Sequence, residues 1–131
     1  MDEPAPPTEV TVTAQDAESA EICIVGELTE EARRPLVRVM TDLLLNSPHL
    51  RRVQLDTCDV PFMNSAGMSA LVQVQKMVQP RGIDLSVVVH GQAVSRPLQL
   101  SGLWRRFTIV DRREGVADDV HEAMPPGTEH R

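Results

Sequence analysis

Hydrophobic positions recur along this chain with two different periods, and the switching between them outlines the fold. Val10 and Val12 alternate with Thr11 and Thr13, a period of two that suits a strand. Ala14 to Ala20 reads as a polar turn, and Ile22, Cys23, Ile24 and Val25 as a second strand ending at Gly26-Glu27-Leu28. The two runs can pair as a hairpin across a loop longer than a tight turn. From Thr29 to Arg34 the chain enters a helix, with Pro35 tolerated near the first helical positions because an amide there has no partner to lose. Leu36, Val39, Met40, Leu43 and Leu44 then follow at spacings of three and four, an apolar stripe on one helical face. Asn46-Ser47-Pro48 ends it.

The same alternation of strand and helix repeats downstream. Val53-Gln54-Leu55 reads as a third strand, a turn closes at Pro61, and a second helix runs from about Ala66 to Gln79 with Gly67, Leu71, Val74 and Val78 on one face. Asn64 precedes that helix as a good N-cap, because its side chain can accept a bond from a free amide of the first turn. Asp84 to His90 is short, β-branched and mostly apolar, as a buried central strand requires. Ala93 to Leu100 reads as a third, short helix closed by Ser101-Gly102-Leu103, whose glycine suits a left-handed cap. Phe107 to Val110 is a last strand, and Val116, Ala117, Val120 and Met124 mark a terminal helix. The order β-β-α-β-α-β-α-β-α predicts an α/β fold, a mixed sheet of about five strands with covering helices. Residues 1–7 and 125–131, rich in proline and charge, read as flexible tails around a single domain over residues 8–124.

Composition narrows the function more than the fold. With 131 residues, 41% of them hydrophobic and 24% charged, the chain suits one globular domain. Phe62, Trp104 and Phe107 are its only aromatics, so the core must be aliphatic and the stacking platforms of single-strand nucleic-acid binders are missing. A net charge of −6 opposes phosphate-backbone binding, so no nucleic-acid partner is expected. No apolar run approaches the ~18 residues that span a bilayer, the acidic N-terminus does not resemble a signal peptide, and a cytoplasmic protein without membrane insertion is expected. Cys23 and Cys58 read as free thiols, and four histidines without ligand spacing predict neither metal nor cofactor. Asp56 and Asp59 read as strand-capping or loop-solvating carboxylates, and Trp104 as half-buried packing. The chain carries no phosphate-binding glycine loop, catalytic triad order or metal motif, so a non-enzymatic role is expected.

The turn before the second helix carries a resemblance. Leu55-Asp56, Phe62-Met63-Asn64-Ser65-Ala66-Gly67-Met68, Ala93-Val94 and Leu100-Ser101-Gly102-Leu103, together with Gly26-Glu27-Leu28, resemble the STAS domain of bacterial anti-sigma-factor antagonists, in the same order and over about residues 8–121. The resemblance implies a protein that binds an anti-sigma factor, usually a serine kinase, and thereby frees a sigma factor. It also implies that Ser65 is the phosphoacceptor, that phosphorylation abolishes binding, and that a phosphatase restores it. Thr29, Met63, Asn64, Ser65, Ala66, Gly67 and Met68 are the partner-binding residues it indicates. The family usually carries Asp where this chain has Asn64 and Thr29, so two negative charges near the turn are absent. A STAS module that is never phosphorylated, with a constitutive role in a transporter or signalling assembly, is the alternative.

Overall fold

A computed structural model of the chain describes residues 6–112 and 119–121. Strands β1 (Glu9–Gln15) and β2 (Ser19–Val25) form an antiparallel hairpin. Its turn is tighter than the polar run from Ala14 to Ala20 implies. The Asp16 carboxylate accepts from the amides of Glu18 (2.9 Å) and Ser19 (2.8 Å), and the Asp16 amide donates to the Ser19 carbonyl, so a side chain replaces the missing ladder bonds. These bonds also hold the Asp16 carboxyl below its ordinary pKa.

Helices α1 (Glu30–Asn46), α2 (Ser65–Val78) and α3 (Ser95–Ser101) alternate with strands β3 (Arg52–Asp59), β4 (Asp84–Val89) and β5 (Thr108–Asp111). With a sixth strand, β6 (Asp119–His121), the sheet order is β1-β2-β3-β4-β5-β6, with β2 to β5 parallel and the outer pairs antiparallel. Each crossover steps one strand in the same direction, and the right-handed rule then sets all three helices on one face of the sheet. Burial follows that geometry. Ile22, Ile24, Val53, Leu55, Leu85 and Val87 point into one aliphatic core with Leu36, Met40, Leu71, Val74 and Leu98 from the helices. The intervening residues Cys23, Gln54, Asp56 and Ser86 are only half-buried. β4 is apolar on both sides, with Val88 buried as fully as Val87, in keeping with a central parallel strand.

Three expectations change. Asp119–His121 is a short strand, β6, antiparallel to β5, with Val120 opposite Val110, where the spacing of Val116, Ala117, Val120 and Met124 predicts a helix. The exposed edge of β5 offers backbone partners that helical periodicity cannot register. The other three residues of that predicted helix lie outside the described residues, as do most of the predicted tails. Pro35 sits at the sixth residue of α1, past the first turn, so the Glu31 carbonyl lacks its helical donor. Finally, α3 begins at Ser95 rather than Ala93. Its left-handed cap is Gly102 as expected, with φ +81°.

Candidate functional site

The turn at Ser65 is built from two chain segments that are distant in sequence. After β3, Val60 turns inward and its amide donates to the Thr57 carbonyl (3.1 Å), while Pro61 and Phe62 face solvent. Phe62 is 50% exposed, a large apolar side chain left in water. The Leu28 amide donates to the Phe62 carbonyl (2.9 Å), and the Asn64 amide donates to the Leu28 carbonyl (3.2 Å). Leu28 and Met63 thus form a one-residue parallel bridge beyond the ends of β2 and β3. It ties the residue before the Thr29 cap of α1 to the residue before the Asn64 cap of α2, so the two helices start side by side.

Asn64 performs the capping role its residue type suggests. Its side-chain oxygen accepts from the Gly67 amide (3.0 Å), and its carbonyl accepts from the Met68 amide (3.0 Å). The amides of Ser65 and Ala66, the first two of the helix, have no intrahelical acceptor. Ser65 is exposed at the first helical position, and Ser69 is exposed one turn later. No acidic residue occupies the first turn of α2. A hydroxyl in water therefore stands at the positive end of a fourteen-residue helix that carries no compensating charge.

Gly67 is indispensable for a reason that lies outside its own helix. A Cβ at this position would stand 1.9 Å from the Leu28 carbonyl oxygen and 2.6 Å from its carbon. The same carbonyl accepts the Asn64 amide, so it cannot swing away without breaking the bridge. Gly67 is needed for close approach of two backbones, with ordinary helical geometry.

The residues singled out from the sequence consequently divide. Ser65 is exposed, and Thr29, Asn64, Ala66 and Met68 are half-buried. Met63 is 4% exposed and packs in the core, and Gly67 is buried at the close approach to Leu28, so both position the turn. Both adjoin Leu28, Met63 through the backbone bridge and Gly67 through the close backbone approach. Thr29 caps α1 by backbone alone, without a side-chain bond. Phe62 joins the exposed surface beside Ser65. Its run of turn residues was the available signal, since a phenylalanine between Pro61 and a capped helix start has few core positions to fill.

Behind the turn, Asp56 accepts from the Cys58 amide (2.9 Å) and pairs with Arg112 at 3.7 Å. It is a structural carboxylate, separate from the exposed Asp59 at the strand end. Burial, reinforced by a hydrogen bond to Asp56, pushes the Cys58 thiol up to about 12, and burial followed by Asp56 raises Cys23 as well. Both are free thiols that stay protonated at neutral pH, unsuited to nucleophilic work. Among the described residues no three His, Cys, Asp or Glu side chains gather as a metal site, and no helix is long and apolar enough to cross a membrane.

Comparison with known proteins agrees with this geometry. The family model for the STAS domain matches residues 11–123. Among solved structures, the crystal structure of an anti-sigma factor antagonist from Mycobacterium paratuberculosis superposes with a TM-score of 0.66 at 22% identity, over 78% of this chain and 84% of that one. No curated protein sequence matches significantly. The family model spans nearly all of the strand and helix framework, including the paired helix starts, and the chain belongs to the STAS domain family.

Proposed function

We propose that this STAS domain is an anti-sigma-factor antagonist of the bacterial cytoplasm, which binds an anti-sigma factor with serine kinase activity and so frees a sigma factor. Ser65 is the phosphoacceptor, and a phosphatase reverses the modification. The single observation that carries this reading is the exposed Ser65 hydroxyl at a helix start with open amides and no carboxylate in its first turn. A phosphate adds roughly −1.5 to −2 charge, which the α2 terminus tolerates, so modification leaves the domain folded. Its effect falls on the interface. Phe62, half exposed beside the serine, is the apolar contact that binding would dehydrate, and a phosphate next to it must either lose its water or hold the surfaces apart.

The test is incubation of the protein and of Ser65→Ala with a candidate anti-sigma kinase and ATP, followed by intact-mass measurement and by titration of Ser65→Asp against the same kinase. One phosphate on the parent, none on Ser65→Ala, and weakened binding of Ser65→Asp are expected. Equal binding of Ser65→Asp and the parent refutes the switch. Tight binding without any phosphate adduct favours the constitutive STAS role, to which the uncharged Asn64 and Thr29 are suited.

A further inference from the structure

The net charge of −6 hides a division within the fold. Residues 1–59 hold twelve Asp or Glu against five Lys or Arg, a balance of −7, whereas residues 60–112 hold two against six, a balance of +4. No carboxylate occurs between Leu85 and Val110. Two of the six cations are engaged. Arg81 donates to the carbonyls of Leu44 (2.7 Å) and Ser47 (3.0 Å) at the end of α1, and Arg112 pairs with Asp56. The remaining four, Lys76, Arg96, Arg105 and Arg106, are exposed, and neither ion pair among the described residues includes them.

Three of these four lie on α3 or the segment that follows it, and Lys76 lies near the end of α2. Arg96 and Leu100 are four residues apart on α3, on the side away from the buried Leu98, so they share its outward face. Gly102 then turns the chain into a short 3-10 segment, Leu103–Arg106, whose Leu103 and Trp104 are half-buried against the core and whose two arginines are exposed. The Gln75 side chain donates to the Arg106 carbonyl, which sets this segment against the second half of α2, beside the exposed Lys76. Leu100 is 76% exposed on the outward face it shares with Arg96. Lys76 lies eleven residues beyond Ser65, about 16 Å along the helix axis, so the surface is distinct from the serine turn.

We propose that the α3 surface formed by Lys76, Arg96, Leu100, Trp104, Arg105 and Arg106 is a docking site for an acidic, amphipathic segment of a protein partner. The exposed leucine serves as the apolar anchor, and the exposed cations fix orientation and speed encounter. A nucleic acid fits poorly, because the net charge of −6 repels a polyanion that extends past four cations, whereas a short acidic segment need meet only this face. The proposal stands independently of phosphorylation at Ser65.

Trp104 is the only tryptophan, so the surface carries its own reporter. The probe is a synthetic amphipathic helical peptide with Glu on one face and Leu on the other, alongside a version with each Leu replaced by Ser, phosphatidylserine vesicles and a short DNA duplex. The leucine peptide is expected to change Trp104 fluorescence saturably and to shift amide resonances from Arg96 to Arg106. Binding should weaken several-fold between about 50 and 200 mM salt, and about tenfold in either Leu100→Ser or the double variant Arg105→Glu/Arg106→Glu. All of these side chains are exposed, so both variants should keep the parent's circular dichroism and melting temperature. The proposal is overturned by no saturable change, by equal binding of the serine peptide, by tighter binding of vesicles or duplex, or by salt-sensitive self-association showing that a second copy fills the surface.

Discussion

The starts of α1 and α2 are tied together through Leu28 and Met63, yet they differ in both charge and capping. α1 opens with Glu30 and Glu31 in its first turn and a Thr29 cap that makes no side-chain bond. α2 opens with no acid, a side-chain bond from Asn64 to the Gly67 amide, and the exposed Ser65. Fixed carboxylates complement the positive end of α1, whereas that of α2 is secured geometrically and left electrostatically open. The difference shows how one fold can hold two adjacent helix starts by different means, one with carboxylates and one with a side-chain cap.

The strongest way to break this arrangement is to separate the two starts. Gly67→Ala places a methyl group where the Leu28 carbonyl stands and should cost about 3 kcal/mol, at the upper end of overpacking penalties. Urea titration would show a much lower midpoint, and an unchanged midpoint would mean that the helices move apart freely. Next comes capping. Asn64→Ala should lose about 1 kcal/mol, but Thr29→Ala only a few tenths, because only Asn64 makes a side-chain cap bond. Equal losses in thermal melts would erase the distinction.

Charge provides the finer tests. The double change Glu30→Gln/Glu31→Gln should cost roughly 0.5 kcal/mol at low ionic strength by stripping the compensation from α1. Ser65→Asp should do the reverse at α2, adding roughly 0.3 kcal/mol that fades as salt is raised. Calorimetry at two ionic strengths reads both. If Ser65→Asp destabilised the protein at low salt, the view of α2 as an open positive end would have to be given up, and with it the separation of phosphorylation from unfolding.

Much of this is legible locally. The spacing of Leu36, Met40 and Leu43 in α1 and of Gly67, Leu71, Val74 and Val78 in α2 matches the faces these helices bury. Asn64 is recognisable as a cap because the bond it makes reaches only three residues ahead. Gly102 is recognisable as a left-handed terminator for a similar reason. The pairing of Asp56 with Arg112, by contrast, joins residues on β3 and just past β5, and no spacing rule connects them. β6 is not legible as a strand because Val120 falls on the helical spacing of Val116, Ala117 and Met124, while its pairing with β5 depends on an edge that exists only once the sheet has assembled.

The sequence by itself therefore determined the order of elements through β5, the aliphatic core and the place of Ser65 at a helix start, since each depends on short-range bonding or on the period of burial. Tertiary structure alone decided what that start could do. It drew Leu28 against Gly67, took Met63 into the core, left Phe62 and Ser65 in water, and kept Leu100 exposed on the same face of α3 as Arg96. Those outcomes depend on backbones and side chains that meet only after the crossovers close, when close contact and burial, rather than local preference, set the energy of each residue.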